Sequence, residues 1–198
     1  MAALITIEPI AMRHAEAVQR FASDPDILAM ADLPDPYPED GARTWIREAR
    51  KRRKNGEQYA FAIIHGNEAR ENQVVGVVSV LSSDDPIPES KTEGQAWKLG
   101  YWVGKPYWGR GYATAAGKQI LRFAFATLDI DYVRALTLRR NSASRRVLEK
   151  LGFELEVVEE PEAAGSAGDS HDTCAHYMLL RSTWMKRVGR ENLNSRIN

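Results

Sequence analysis

The sequence has one cysteine, Cys174, among 198 residues. A single cysteine excludes an internal disulfide, and no set of cysteines and histidines has the spacing of a zinc site, so we predict no metal. A protein without disulfides fits a reducing, cytoplasmic compartment. We interpret Cys174 as a small buried apolar residue, because a nucleophilic cysteine would need a histidine placed beside it.

The sequence also lacks an excess of either charge, since 27 Lys and Arg residues balance 27 Asp and Glu residues. This balance argues against nucleic acid or an anionic membrane as a partner. No stretch approaches the roughly 18 apolar residues of a membrane span, and residues 1–7 lack the basic start and apolar run of a signal peptide. We therefore expect a cytoplasmic protein with no membrane contact.

The chain carries enough apolar residues for one core, because 43% of its residues are hydrophobic. Alternating and helical apolar spacings predict the order β, α, α, three strands, then α, β, α, β, β. Consecutive antiparallel strands followed by a βαβ crossover imply a mixed sheet flanked by helices. We expect one domain over residues 1–184 and a polar C-terminal tail, 185–198, that frays.

A glycine turn containing Gly109 and Gly111 joins a predicted strand to a predicted helix. Backbone N–H groups at the start of a helix bind phosphate and other anions. The turn is not a P-loop, because five residues separate Gly111 from Gly117 and Gln119 replaces the magnesium-binding Ser or Thr. It is not a dinucleotide fingerprint, because Thr114 stands where a third glycine is required. Alone, the turn predicts either an anion site or an ordinary connection.

A second motif lies C-terminal to the turn. Tyr-Trp-Gly-Arg-Gly-Tyr-Ala-Thr at 107–114 and Asn-x-x-Ser-x-x-Val-Leu-Glu-Lys-x-Gly-Phe at 141–153 together resemble the GNAT N-acetyltransferase superfamily and its RimJ/RimL-like, ribosomal-protein-acetylating branch. The segments 7–10 and 171–179 resemble the opening and closing strands of the same family. The resemblance implies a single-domain α/β (α+β) GNAT fold, whose mixed, mostly antiparallel sheet of about seven strands splays at its centre between flanking helices.

The resemblance implies that acetyl-CoA binds along the central strand and the glycine turn. The CoA pyrophosphate is assigned to backbone amides of Gly109, Arg110, Gly111, Tyr112, Ala113 and Thr114. Trp108 stands where most members carry Gln or Arg, so one side-chain phosphate contact is absent or replaced by packing. Trp102 and Val103 lie where the strand is expected to splay from its neighbour. The resemblance implies that the backbone amides left unpaired there bind the pantetheine arm. The amide of Val103 is the candidate catalytic donor to the thioester oxyanion.

The second motif adds Asn141 and Ser144 to the implied CoA site. Asn141 is assigned to the pantetheine, and its alternative role is a helix N-cap. Ser144 is the candidate catalytic acid that protonates the leaving thiolate, and its alternative role is hydrogen bonding at the helix start. Other members carry a tyrosine seven positions after the Asn, but here that position is Leu148.

The general base is left open by the sequence. Lys98 occupies the position where many relatives carry Glu, and it cannot serve as a carboxylate base. Glu93, Asp85 and an ordered water are the alternatives, and His176 either faces the acceptor or has a structural role. Four aromatic residues either line the acceptor cleft or fill the core: Tyr37, Trp45, Trp97 and Trp102.

The sequence therefore predicts transfer of acetyl from acetyl-CoA to a primary amine by direct attack in a ternary complex. The leading acceptor is a protein N-terminal α-amino group, and small amines, amino acids and antibiotics are alternatives. A non-catalytic acyl-CoA-binding or regulatory module is a further alternative, favoured by Lys98. A homodimer also stays open, since relatives are often dimers, whereas no nucleic acid or membrane partner is expected.

Overall fold

The computed structural model describes residues 5–66, 73–83, 96–158 and 173–194. The described strands are β1 Ile5–Pro9, β2 Gln58–His65, β3 Gln73–Ser83, β4 Ala96–Val103, β5 Tyr132–Leu138, β6 Glu154–Val158 and β7 Cys174–Leu180. The described helices are α1 Ala15–Ala22, α2 Pro25–Leu28, α3 Gly41–Lys54, α4 Tyr112–Thr127, α5 Ser142–Leu151 and α6 Arg181–Asn194. Short 3-10 turns at Met12–His14 and Lys105–Tyr107 precede α1 and α4.

The strands form one seven-stranded sheet in the order β1-β2-β3-β4-β5-β7-β6. Five of the neighbouring pairs are antiparallel, and β4 with β5 is the parallel pair. Helix α4 makes the crossover that a parallel pair requires. The mixed, mostly antiparallel sheet predicted from the sequence is confirmed.

The centre of the sheet is splayed. Strand β4 is paired with β3 from Ala96 to Val103, but its ladder with β5 consists of Lys98 with Arg134 and Leu99 with Ala135. Beyond Leu99 the two strands diverge, while β5 continues beside β7 as far as Leu138. The splay predicted beside Trp102 and Val103 is therefore confirmed. We call the space between residues 100–103 and β5 the central gap.

Helices cover the sheet on both faces and enclose two apolar cores. On one face, which we call the α4 face, helices α4, α5 and α6 bury the larger core. On the other, the α3 face, helices α1 and α3 cover the strands β2 and β3. Because side chains alternate along a strand, Leu99, Tyr101 and Val103 belong to the α4 face and Trp102 to the α3 face.

The aromatic residues divide between these faces. Trp97 is only 6% exposed and belongs to the core of the α4 face. Its alternative assignment to the acceptor cleft was wrong, because the alternation of β4 turns it away from Trp102. Tyr37, Trp45 and Trp102 are half-buried and pack together against the core of the α3 face.

Close packing of α4 and α5 sets the position of the second motif. A Cβ at Gly117 would lie 2.6 Å from Leu151 Cδ1, so a larger residue there would require the Leu151 side chain to shift within this close helix contact. Helix α5 ends at Gly152 in the left-handed conformation, with φ of 94°, a typical glycine C-cap. These contacts hold the first turn of α5 beside the central gap.

Two helices differ from the sequence prediction. Ser23-Asp24-Pro25 ends α1 as predicted, but it also starts the short helix α2, because Asp24 Oδ1 accepts from the Asp26 amide and Pro25 suits the first helical position. Helix α6 runs from Arg181 to Asn194, so residues 185–194, which were predicted as part of a polar tail, are helical. The buried Trp184 ring packs 6.1 Å from Phe125 and anchors this helix.

Candidate active site

The central gap is lined by backbone hydrogen-bonding groups of β4. The N–H of Gly104 donates to the Val75 carbonyl on β3 at 2.8 Å. Because backbone groups of successive residues point to opposite sides of a strand, the N–H and C=O of Val103 point away from β3 and into the gap. The same alternation directs the N–H and C=O of Tyr101 into the gap. A central strand thus offers donors and acceptors outside the sheet ladder.

The glycine turn follows β4 and leads into α4. Gly109 and Gly111 have φ of 73° and 79°, a left-handed conformation that glycine adopts without strain. A Cβ at either position would meet no atom within 4 Å, so space is open beside the turn. The first N–H groups of α4 have no acceptor within the helix, and the N-cap residue Gly111 has no side chain to cap them. This arrangement suits a phosphate group.

The start of α4 is fixed by Tyr112. This side chain is 5% exposed, and its hydroxyl lies 3.0 Å from His65 Nδ1 at the end of β2. Ala113 and Thr114 follow in the first turn of the helix and are half-buried. Arg110 is exposed, and its guanidinium lies 5.8 Å from the centre of the Tyr107 ring. The predicted pyrophosphate segment is therefore a helix start anchored by the buried Tyr112, with the exposed cation of Arg110 beside it.

Trp108 connects the turn to the end of β4. Its indole Nε1 donates to the Val103 carbonyl at 2.5 Å, while the side chain is 46% exposed. This carbonyl points into the gap, where a continued ladder with β5 would supply the donor. The indole occupies that acceptor instead and holds the strand end in its splayed position. The sequence predicted only packing or a lost phosphate contact for Trp108, because its partner is set by the splay.

Asn141 is the N-cap of α5. Its Oδ1 accepts from the Ser144 amide at 3.0 Å, and its Nδ2 donates to the Met30 carbonyl at 3.4 Å. The alternative role of Asn141, the helix N-cap, is therefore observed. The Asn141 side chain instead joins α5 to the segment after α2, and its contact with CoA stays a prediction.

Ser144 lies in the first turn of α5 and faces β4 across the central gap. Its Oγ is 2.9 Å from the hydroxyl of Tyr101, and the same hydroxyl lies 3.2 Å from the Ser144 carbonyl oxygen. Burial, the largest cause, raises the pKa of Tyr101 to about 12, and the hydrogen bond with Ser144 opposes this rise. Tyr101 therefore carries its proton at neutral pH.

The segment from Asp24 to Met30 spans the mouth of the gap. On one side Asp26 forms an ion pair with Lys105, just beyond β4. On the other side the Ala29 carbonyl accepts from Arg140 at 2.9 Å, next to the contact of Asn141 described above. We call this segment the α2 strap. The α2 strap thus connects the C-terminal ends of strands β4 and β5, which diverge at the central gap.

The α3 face beside the gap is built by cross-strand pairs. Lys98 pairs with Arg134, which pairs with Met178, which in turn pairs with Glu154. The next row contains Leu136, which is 37% exposed, and the half-buried His176. His176 is thus on the face where an acceptor can approach. Arg134 is buried at 8% exposure, so Leu136 and His176 form the accessible part of this wall of the site.

The general base is not identified among the described residues. Lys98 is half-buried beside Arg134, and a cation cannot accept the proton of an ammonium group. Glu93 and Asp85 lie outside the described residues. The cysteine predicted as a buried apolar residue, Cys174, is half-buried on β7 opposite Leu138.

Comparison with protein families agrees with this geometry. A model of the Acetyltransferase (GNAT) domain matches residues 5–154. The chain belongs to the GNAT acetyltransferase family. Membership makes it an acetyl-CoA-dependent N-acetyltransferase by class. The matched GNAT region runs from β1 to the start of β6 and includes the central gap, the glycine turn and the first turn of α5.

Two curated GNAT relatives come from Bacillus subtilis (strain 168). The protein named "Probable N-acetyltransferase YjcK" is 30% identical over 131 residues, which are 66% of this chain and 67% of that protein. The protein named "Putative ribosomal N-acetyltransferase YdaF" is 33% identical over 127 residues, which are 63% of this chain and 64% of that protein. These matches span about two thirds of the relatives' own length.

Solved GNAT structures share the fold over nearly the whole chain. A GNAT acetyltransferase from Bacillus anthracis has a TM-score of 0.70 at 21% identity, covering 92% of this chain and 98% of that one. RimL, a ribosomal alpha-N-protein acetyltransferase in complex with CoA, has a TM-score of 0.71 at 17% identity, covering 89% of this chain and 93% of that one. Spermidine N-acetyltransferase from Vibrio cholerae, in complex with CoA and spermine, has a TM-score of 0.71 at 13% identity, covering 91% of this chain and 98% of that one.

Two further searches concern metals and membranes. Among the described residues, no cluster of three or more His, Cys, Asp or Glu side chains could hold a metal ion. In the same part of this GNAT chain, no helix combines the length and apolar character needed to cross a bilayer.

Proposed function

We propose that this GNAT protein transfers the acetyl group of acetyl-CoA to the α-amino group of a protein or peptide N-terminus. The observation that carries this proposal is the end of the β4–β5 ladder at Leu99, which directs the Val103 amide into a gap next to an open glycine turn. Amide donors for an acyl group and for a phosphate are thereby aligned along one strand–turn–helix unit.

The residues present fit CoA. The open space beside Gly109 and Gly111 and the free amides at the start of α4 suit the pyrophosphate, with Arg110 adding a positive charge. The pantetheine arm contains amides of its own, and it can pair with the gap-facing groups of β4 as a neighbouring strand would. Trp108 restricts this pairing, because it already occupies the Val103 carbonyl.

The acetyl transfer begins when the lone pair of the amine attacks the thioester carbonyl carbon. The carbonyl π electrons move to the oxygen, and the N–H of Val103 donates to the resulting oxyanion. A fixed donor of this kind contributes about 2.7–4 kcal/mol of barrier reduction. The C–S bond then breaks with its electron pair on sulfur, water takes the proton that the amine nitrogen loses, and a proton passed on from that water converts the thiolate into the thiol. The net products are an N-acetylated amine and CoA.

An N-terminal amine is the acceptor that the site supports best. The wall formed by Leu136 and His176 is an accessible strand face, along which an extended peptide can lie while its first nitrogen reaches the gap. The ribosomal name of YdaF and the ribosomal-protein activity in the name of RimL support the same acceptor class. Water is the proton acceptor in this proposal, because Lys98 replaces the usual carboxylate.

The test uses Val103→Pro, which removes the proposed oxyanion donor. The Val103 amide does not serve the β3 ladder, so the loss of its N–H leaves the sheet hydrogen bonds intact. Val103→Ala is the matched control, since it shortens the same buried side chain and keeps the amide. Acetyl-CoA binding is measured by calorimetry, and thiol release is measured with peptides that differ in their first residue and with small amines, spermidine included.

We expect turnover with N-terminal peptides and a loss of roughly 100- to 1000-fold in kcat for Val103→Pro beyond the effect of Val103→Ala. Turnover restricted to small amines would overturn the acceptor assignment. Tight acetyl-CoA binding without turnover on any acceptor would identify a non-catalytic module. Absence of CoA binding would refute the proposal entirely.

A further inference from the structure

Tyr101 and Ser144 form a polar contact across the central gap. Tyr101 lies on the part of β4 that has left the ladder with β5, and Ser144 lies in the first turn of α5. Their hydroxyl oxygens are 2.9 Å apart, which is a normal O–H···O distance. The two residues are 43 positions apart in the sequence, so the contact exists only because the splay brings these elements together.

We propose that Tyr101 is a positioning residue, which directs the hydroxyl proton of Ser144 toward the sulfur of CoA. The inference rests on the proposed function, because a leaving thiolate forms only if acetyl-CoA reacts in the gap, and the family resemblance assigns Ser144 to that thiolate. Tyr101 itself need not touch the substrate. Its hydroxyl determines whether Ser144 presents a proton or a lone pair to the gap.

The donors and acceptors of Tyr101 and Ser144 indicate that Tyr101 donates the hydrogen bond to Ser144 Oγ. A tyrosine hydroxyl has one proton to donate, and the Tyr101 hydroxyl has two acceptors within reach, the Ser144 carbonyl oxygen and Ser144 Oγ. The carbonyl already accepts the Leu148 amide through the regular i to i+4 bond of α5. Donation from Tyr101 therefore satisfies Ser144 Oγ best, and the Ser144 proton is left to point elsewhere.

A negative charge on sulfur strengthens this arrangement. The thiolate attracts the Ser144 proton, the partial negative charge on Oγ attracts the Tyr101 proton, and each bond polarises the next. The proton stays on each oxygen throughout, because both hydroxyls are far weaker acids than a thiol, whose ordinary pKa is about 8.5. The proton that finally binds sulfur comes from the amine nitrogen, so the pair lowers the barrier as a chain of donors.

The surrounding side chains leave this role to Tyr101. Tyr177, which lies beside α5, has a hydroxyl that accepts from Arg145 Nε at 3.2 Å. The position at which other family members place a tyrosine is Leu148, which is buried in the core. Tyr101 thus approaches the same serine from β4, the opposite wall of the gap.

The experiment measures a property that needs no acceptor, the pKa of the thiol of bound CoA, by the ultraviolet absorption of its thiolate. Tyr101→Phe, Ser144→Ala and the double variant are compared with the natural protein. Tyr59→Phe is the matched control, because it removes a half-buried tyrosine hydroxyl from the same sheet face, packed against Trp97 and Phe123. Affinity for CoA is measured by calorimetry, and kcat and KM with the best N-terminal peptide.

A donor to the thiolate lowers the pKa of a bound thiol. We expect this pKa to lie about one to two pH units higher in Ser144→Ala and to rise in Tyr101→Phe by at least half as much. We expect kcat to fall roughly 10- to 100-fold in Ser144→Ala and about 5- to 10-fold in Tyr101→Phe. The double variant should match Ser144→Ala, because Tyr101 acts through Ser144. CoA affinity and KM should change little.

Two results would overturn the inference and leave the proposed function standing. One is a thiol pKa and kcat in Tyr101→Phe equal to those of Tyr59→Phe. The other is a Tyr101→Phe effect that persists in full when residue 144 is already Ala. Failure of the natural protein to bind CoA would instead refute the proposed function.

Discussion

Gly76 on β3 is the position where the smallest added group should disturb the active site most. A Cβ there would lie 2.3 Å from the Trp102 carbonyl oxygen and 3.0 Å from Val103 Cα. Both atoms belong to the backbone of β4, one on each side of the Val103 amide, the proposed oxyanion donor. Because backbone cannot rotate away as a side chain can, Gly76→Ala must push the two strands apart.

The size of this displacement follows from the contact distance. Real Cβ contacts are not shorter than 3.0 Å, so the Trp102 carbonyl must retreat by about 0.7 Å. Overpacking of this kind costs about 1–3 kcal/mol of folding free energy, or roughly 2–4 °C in Tm per kcal/mol for a chain of this length. A misplacement near 1 Å at a reacting centre costs on the order of 100-fold in rate. We expect kcat to fall about 10- to 100-fold.

Gly100→Ala provides the matched control on the opposing strand. A Cβ there would meet Ser79 Oγ at 3.5 Å, an ordinary van der Waals contact, so this variant should fold and turn over normally. Urea denaturation gives the folding free energies, calorimetry the affinity for acetyl-CoA, and thiol release the values of kcat and KM. Equal kcat in the two variants, with Gly76→Ala folded, would refute the assignment of the Val103 amide.

Two further predictions concern backbone strain and pH. Gly111→Ala and Gly56→Ala place a side chain at φ of 79° and 78° in open space, so each variant should lose about 1–2 kcal/mol of stability. Only Gly111→Ala should weaken CoA binding, measured by calorimetry. Equal CoA affinity in the two variants would contradict the assignment of the glycine turn to the pyrophosphate. Burial, helped by Arg13, lowers the pKa of His14 from 6.5. As the pH drops below 6.5, the unfolded chain therefore binds a proton at His14 more readily than the folded protein does. The free energy of unfolding should fall over this range by at most about 1.4 kcal/mol per pH unit. Denaturation midpoints of His14→Gln should lack that part of the slope, and an unchanged slope would show that another group carries it.

The order of elements and the glycine turn could be predicted from the sequence because they depend on local patterns. Alternation defined the central strands, and Gly109 and Gly111 marked a turn that requires positive φ. The pairing of the second motif with that turn was enough to indicate the family. Residues such as Gly152 also kept the role that local chemistry predicted, the end of a helix.

The partners of the site residues could not be predicted, because they depend on how far the sheet splays. The bond from Trp108 to the Val103 carbonyl exists only where β5 has left that carbonyl without its ladder donor. The contact of Asn141 with Met30 joins residues that are 111 positions apart. The sequence showed that Leu148 stands where other members carry a tyrosine, but the contact of Tyr101 with Ser144 was missed because it depends on the register of β4.

The divergence of β4 from β5 also has a consequence for how the protein meets other proteins. An exposed strand edge invites pairing with another chain and therefore aggregation. In this molecule the open edge lies in the interior, with β3 on one side and β5 and β7 on the other. The rims of the sheet are β1 and β6, so the unpaired edge of β4 does not lie where the sheet of another molecule would pair with it. The fold thus offers unpaired backbone groups to a bound ligand without adding an exposed edge at the rim of the sheet.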